Sequence, residues 1–236
     1  MKILWIVPIT SPGDAQINKT ASLLKRHAYP GTEIIIRKVS RGTESIESRV
    51  DEAYATIPII EEVLKAEQEG FDACIIGCAG DAGLAAAKEA AHIPVVGPGE
   101  ASLLIAQLIG RRVVLLTTLP ERIPSIEEKV TRFIPRPQFF IYPVNIPVVE
   151  LQMNVEKTID TLVEIILKSK ERDQADTAIL ACLGMKGMAE EVQRQVKIPV
   201  IDPALAALEM AQALVTMKLS QAKRIYPFPP LKRRFL

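Results

Sequence analysis

The sequence predicts an α/β protein made of two pseudo-symmetric parallel-sheet α/β domains with the active site in the interdomain cleft. Three observations predict it. Short apolar runs alternate with helical stretches along the chain, segments of the first half recur in the second, and two cysteines stand at the ends of equivalent runs.

The apolar runs lie at residues 3–7, 33–39, 73–77, 94–96, 112–116, 139–143, 177–181 and 199–201. They are short, β-branched and apolar at consecutive positions, the pattern of parallel strands buried on both faces. The first, within Met1-Lys2-Ile3-Leu4-Trp5-Ile6-Val7-Pro8, is too short to span a membrane and no small-residue cleavage site follows it. It reads as a buried strand, and a cytoplasmic protein is expected. Helical patterns fill the intervals, at 48–69, 83–91, 155–170 and 188–196 among others. Alternation of this kind belongs to doubly wound α/β architecture.

The repeat is the most informative feature. Phe71-Asp72-Ala73-Cys74-Ile75-Ile76-Gly77-Cys78-Ala79-Gly80 matches Ala175-Asp176-Thr177-Ala178-Ile179-Leu180-Ala181-Cys182-Leu183-Gly184 at an offset of 182 − 78 = 104, and Gly83 falls on Gly187. Ile93-Pro94-Val95-Val96-Gly97-Pro98 then matches Ile198-Pro199-Val200-Ile201-Asp202-Pro203 at 198 − 93 = 105. Two similar halves follow, expected as residues 1–98 plus 208–236 and residues 99–207. The helix after Asp202 is expected to cross back to the first half, as the helix after Gly99 crosses to the second. Ligands of open parallel sheets bind beyond the carboxyl ends of the strands. Two facing halves then share one cleft, to which each delivers a cysteine.

Composition narrows the function classes. With 29 basic and 28 acidic side chains the formal net charge is +1, so no global field draws nucleic acid. The basic tail Lys232-Arg233-Arg234 reads as solvated. Expected partners are a small-molecule substrate and further copies of the chain in a homo-oligomer, with neither nucleic acid nor membrane. The three cysteines are an odd number without framework spacing, so no disulfides are expected. His27 and His92 lack companions at metal-ligand spacing, and no zinc site is expected. His27 reads as a surface residue and His92 as the end of a helix.

Inverting a carbon stereocentre without a cofactor needs a base on one face and an acid on the other. Cys78 and Cys182 are the candidates for this catalytic pair. A free thiol titrates near pH 8.5, and neighbouring amides or a helix N-terminus lower that value toward the range suited to acid–base work. In Cys78-Ala79-Gly80-Asp81-Ala82-Gly83 and Cys182-Leu183-Gly184-Met185-Lys186-Gly187, glycines free the backbone to turn amides toward a developing oxyanion. Ala79, Gly80, Leu183 and Gly184 are accordingly candidate substrate-binding positions. Pro8, Ile9 and Thr10 follow the first strand, and Thr117 and Thr118 close its equivalent. The threonine hydroxyls can hold a substrate carboxylate or amide, or serve a turn or helix cap. Asp81 can orient a ligand amine or cap the helix from Gly83. Cys74, four residues before Cys78, reads as a small buried hydrophobe.

At these motifs the chain resembles the hydantoin racemase branch of the aspartate/glutamate racemase superfamily over nearly its whole length. Gly77-Cys78-Ala79-Gly80-Asp81-Ala82-Gly83-Leu84 looks like its first catalytic motif, and Ala181-Cys182-Leu183-Gly184-Met185 is similar to its second. Val113-Val114-Leu115-Leu116-Thr117-Thr118 with Arg122 and Pro124, Ile146-Pro147-Val148-Val149-Glu150-Leu151 and Ile198-Pro199-Val200-Ile201-Asp202 also match. The resemblance implies two pseudo-symmetric domains, an interdomain site, no cofactor and a two-thiol racemase or epimerase acting on a small carbonyl compound such as a 5-substituted hydantoin. One segment departs from the family: Asn-Pro-Asn-Thr after the first strand is replaced by Val7-Pro8-Ile9-Thr10. The wall there is expected to be more apolar and to favour an apolar substituent. An aspartate/glutamate-type amino-acid racemase, a related decarboxylase or isomerase, and a non-catalytic small-molecule binder are the alternatives on this scaffold. Family decarboxylases keep one of the thiols, whereas this chain keeps both. No Cys-x-x-Cys pair supports a redox role.

Overall fold

A computed structural model describes residues 1–131 and 138–232. The first half runs β1 (Lys2–Val7), α1 (Asp14–His27), β2 (Glu33–Lys38), α2 (Arg49–Gln68), β3 (Ala73–Ile76), α3 (Leu84–Ala90), β4 (Val95–Val96) and α4 (Pro98–Ile109). The second runs β5 (Arg112–Thr117), α5 (Ile123–Val130), β6 (Gln138–Pro143), α6 (Val155–Arg172), β7 (Thr177–Leu180), α7 (Ala189–Val196), β8 (Val200–Ile201) and α8 (Pro203–Thr216). Every expected strand is present, each within two residues of its sequence-derived bounds. Among the described residues no helix is long and apolar enough to cross a membrane.

The repeat is visible in the topology. One parallel sheet has the order β2-β1-β3-β4 and the other β6-β5-β7-β8, so each strand of the first has its counterpart in the second. β1 is paired on both sides, Ile3 to Ile34 and Ala73, and β5 likewise, Val113 to Phe139 and Thr177. A strand so placed meets other layers on both faces, which is why Ile3, Leu4, Trp5 and Ile6 are all buried and the run shows no polar alternation. The alternation reappears in the partners. Ile3 and Trp5 face a core shared between the halves, while Leu4 and Ile6 face the outer layer under α2 and α3.

Chain crossing joins the halves. α4 leaves the first sheet and packs on β7 and β8, and α8 leaves the second and packs on β3, β4 and α1. Each crossing helix opens with proline at its first position, Pro98 and Pro203, where the missing N–H costs no hydrogen bond. The two helices pack against each other through Ala101, Ala106, Ala204, Ala207 and Ala211, in one core with Ile75 of the first sheet and Val113, Leu115 and Ile179 of the second. Positions 207 and 208, where the sequence reading returns the chain to the first domain, sit inside the continuous helix α8. The return itself is made at Asp202–Pro203.

Local signals account for several element ends. α2 starts at a reciprocal cap: the Asp51 amide donates to Ser48 Oγ at 3.1 Å, and the Ser48 amide donates to Asp51 Oδ2 at 2.9 Å. His27 is exposed at the end of α1. His92 is also exposed, one residue beyond the C-cap of α3, with its ring against Phe228. Of the basic tail, Arg233 and Arg234 lie outside the described residues.

Candidate active site

β3 and β7 are the central strands that run into the two cysteine loops. Both loops are folded by the same backbone bonds. The Gly77 amide donates to Ile6 O at 2.7 Å and the Ala181 amide to Leu116 O at 2.9 Å, extending each ladder by one bond. The Cys78 amide then turns back to Ile76 O at 2.7 Å and the Cys182 amide to Leu180 O at 2.8 Å, a tight three-residue turn in each half. The Asp81 amide closes on Cys78 O at 2.9 Å and the Met185 amide on Cys182 O at 3.0 Å. Gly83 and Gly187 both adopt positive φ, 68° and 80°, which only glycine enters without strain. The duplication is therefore carried by the site loops themselves.

Both loops open onto one cavity of about 870 Å³ lined from the two halves. Cys78 and Cys182 are free thiols, half-buried, on its wall. Pro8 and Ile9 line it from the end of β1, Thr117 and Thr118 from the end of β5, and Ala79, Gly80, Leu183 and Gly184 from the cysteine loops. Thr117 and Thr118 are buried, and no side chain caps the short helical turn that follows them, so the cap alternative does not hold. Cys74 is fully enclosed in the first sheet, away from the cavity, and burial pushes its thiol up to about 12.

Two expected substrate-binding residues are engaged elsewhere. The Thr10 hydroxyl donates to Thr43 O at 3.2 Å, and its amide donates to the same oxygen at 2.9 Å, so the side chain is turned into the 43–48 loop and off the cavity wall. Asp81 is also off the wall. Its carboxylate caps a helix, but the helix is α4 and not the one after Gly83: Oδ1 accepts from the Gly99 amide and Oδ2 from the Glu100 amide, both at 2.8 Å. The second half uses the converse arrangement. Asp202, the N-cap of α8, accepts from the Ala204 amide at 2.8 Å and reaches back to the Gly187 amide at 2.5 Å. In both halves a carboxylate ties the cysteine loop to the start of the crossing helix.

Side chains that no local pattern marked complete the site. Lys129 of α5 crosses from the second half to the Cys78 loop, where its Nζ donates to Ala79 O at 3.1 Å and Gly80 O at 2.6 Å and pairs with Asp81 Oδ2 at 3.0 Å. Arg122, nearly enclosed, lines the cavity and pairs with Glu52 at 2.7 Å. Gln152 Nε2 holds Gly184 O at 2.6 Å. α1 closes one side with Gln16, Asn18 and Lys19. Arg122 belongs to a segment quoted for the family resemblance, whereas Lys129 is an ordinary helix residue until the fold brings it across.

The electrostatics differ from the expectation of lowered thiols. Burial pushes the Cys78 thiol up, against the pull of Lys129 and of the Ala82 and Gly80 amides. Burial pushes Cys182 up to about 11, against the Gly184 amide, which donates to its sulfur at 3.3 Å, and against Lys186 and Arg122. Desolvation of a thiolate outweighs a few oriented dipoles at this depth. Charge on Cys78 raises Cys182 further.

A family profile described as Asp/Glu/hydantoin racemase matches residues 13–211. A hydantoin racemase of Rhizobium meliloti is 32% identical over 214 residues, 90% of this chain and 88% of that protein. A hydantoin racemase of Pseudomonas sp. (strain NS671) is 33% identical over 235 residues, 98% of this chain and 93% of that protein. The crystal structure of allantoin racemase from Pseudomonas fluorescens superposes with a TM-score of 0.92 at 28% identity, each chain covered in full. The duplicated sheets, the exchanged helices and the extent of these matches lead to one conclusion: the chain belongs to the Asp/Glu/hydantoin racemase family.

Proposed function

We propose that the protein is a cofactor-independent racemase of a hydantoin-type substrate, with Cys78 and Cys182 as the acid–base pair. The observation that carries the reading is that two free thiols on repeat-equivalent loops line one cavity between the halves. One sulfur, as thiolate, takes the proton from the carbon beside the ring carbonyl. The opposite thiol returns a proton to the other face, and the roles reverse for the other enantiomer. Negative charge develops on the carbonyl oxygen in between. The hydroxyls of Thr117 and Thr118, on the cavity wall, are the donors assigned to it. A carbon held between two attacking sulfurs at near-attack contacts of ~3–3.5 Å sets their separation at roughly 7–9 Å in the closed complex.

The relatives' names point to a hydantoin ring, and Ile9 on the wall favours an apolar substituent at its stereocentre. We also read the protein as a cytoplasmic homo-oligomer. The free thiols support the compartment, and the exposed Leu104 and Leu108, one helical turn apart on α4, support the assembly. Sedimentation of the purified chain tests the latter. Activity is tested by incubating single enantiomers of 5-benzylhydantoin, 5-isobutylhydantoin, allantoin, aspartate and glutamate in D2O. The reading expects loss of optical rotation with deuterium uptake at the stereocentre of a hydantoin. Faster turnover of aspartate or glutamate than of every hydantoin would overturn the substrate assignment.

A further inference from the structure

We propose that Lys186 is the positioning residue for Cys182: its ammonium is the cation against which the Cys182 thiolate forms. The proposal rests on the two-thiol reading above. Cys182 and Lys186 bracket a single turn of 3-10 helix, Leu183–Met185, and both side chains line the cavity. Lys186 Nζ donates to Leu183 O at 3.3 Å, the carbonyl of the residue next to Cys182, while the Gly184 amide of the same turn donates to the Cys182 sulfur at 3.3 Å. Both residues therefore face the same cavity from one short turn.

That long bond to Leu183 is the hydrogen bond Lys186 Nζ makes among the described residues, and no carboxylate there forms an ion pair with it. Asp202 acts on it from the start of α8 but is held by the Gly187 and Ala204 amides, and Lys19 of α1 repels it. Around Cys182 the charged and titratable neighbours are Lys186, Arg122 and Cys78. Arg122 is engaged by Glu52. Burial lowers the ammonium and raises the thiol, and the charged form of each relieves the other. A partly buried charge held by one long hydrogen bond is costly, and a thiolate nearby offsets that cost. The thiol proton leaves to water, the sulfur keeps the electron pair, and Lys186 stays protonated beside it.

The two halves differ here. The repeat counterpart of Lys186 is Ala82, at 186 − 104 = 82. The first loop instead takes its cation from across the cleft, where Lys129 is already held by two carbonyls and Asp81. Cys182 thus has a cation built into its own turn, and Cys78 has one committed to the architecture.

The test is site-resolved alkylation of the ligand-free full chain by iodoacetamide at a fixed pH of about 8, below the titration of a buried thiol, with peptide mass spectrometry reading Cys78 and Cys182 separately. Lys186 lowers the Cys182 thiol, and one unit of thiol pKa is a tenfold change in thiolate, so Lys186→Met should slow Cys182 alkylation about tenfold. Cys78 should be unmoved. Lys186→Gln, which keeps a donor for Leu183 O without the charge, should slow it equally, and Lys186→Arg should keep the wild-type rate. An unchanged Cys182 rate in Lys186→Met and Lys186→Gln, or equal slowing at both cysteines, would overturn the proposal while leaving the two-thiol reading intact. Racemisation by Cys182→Ser at the wild-type rate would overturn both.

Discussion

Asp81 separates an architectural from a ligand-binding role at the most conspicuous acidic residue of the first cysteine loop. Its carboxylate caps α4 through the Gly99 and Glu100 amides at 2.8 Å and pairs with Lys129 Nζ at 3.0 Å. Loss of a cap costs about 0.5–2 kcal/mol, and a hydrogen bond to a charged group contributes about 1.5–3 kcal/mol. Lys129 keeps the Ala79 and Gly80 carbonyls, so the full penalty of a stranded ammonium does not arise. Asp81→Ala should therefore lose about 3 kcal/mol, lowering Tm by about 6–12 °C for a chain of this size. Alanine adds strain at φ 56°, whereas asparagine tolerates that conformation, so Asp81→Asn should lose less. Calorimetry at fixed pH reads both variants. An Asp81→Asn protein that melted with the wild type but showed a several-fold higher KM would refute the reasoning and return Asp81 to the substrate.

Two further predictions concern the cavity. Because burial holds Cys78 above the ordinary thiol value and Cys182 at about 11, the active thiolate is a minor species at neutral pH. Below that value kcat/KM should climb with pH, about tenfold per unit, and a pH-rate profile that is flat between neutral and alkaline pH would contradict the burial argument. Ile9→Asn places an amide on the wall now formed by an apolar side chain. It should reduce kcat/KM for 5-isobutylhydantoin by about 10-fold or more relative to allantoin, the scale of a mismatched contact in a binding pocket. Paired kinetics on the two substrates measure the ratio, and an unchanged ratio would remove Ile9 from substrate selection.

Much of the fold was legible because its signals are local or repeated. β1, β3, β5 and β7 are buried on both faces and so read as unbroken apolar runs, and the helical pattern from residue 48 places α2. The duplication exposed the site: Cys78 would be one buried cysteine among three without Cys182 at the matching position. What was not legible depends on contacts far apart in sequence. α1 begins at Gly13 with no capping side chain, and nothing near Asp81 indicates that its carboxylate is spent 18 residues on, at Gly99. Thr10 looks equivalent to Thr117 until the 43–48 loop supplies an acceptor for its hydroxyl. The direction of the thiol shifts has the same origin. The loop amides are visible in the glycine pattern, but the burial that outweighs them comes from the apolar layer of each half, against which Cys78 and Cys182 pack.

The central claim is that Cys78 and Cys182 serve opposite faces of one carbon. It is tested most directly by incubating each enantiomer of a hydantoin substrate in D2O with Cys78→Ser and with Cys182→Ser, and following deuterium uptake by NMR and configuration by chiral chromatography. The account predicts that both variants lose racemisation by about 10²–10⁴-fold, the contribution of a positioned acid–base group. It also predicts that residual exchange is confined to one enantiomer in the first variant and to the opposite enantiomer in the second. Residual exchange of the same enantiomer by both variants, or wild-type racemisation by either, would contradict it.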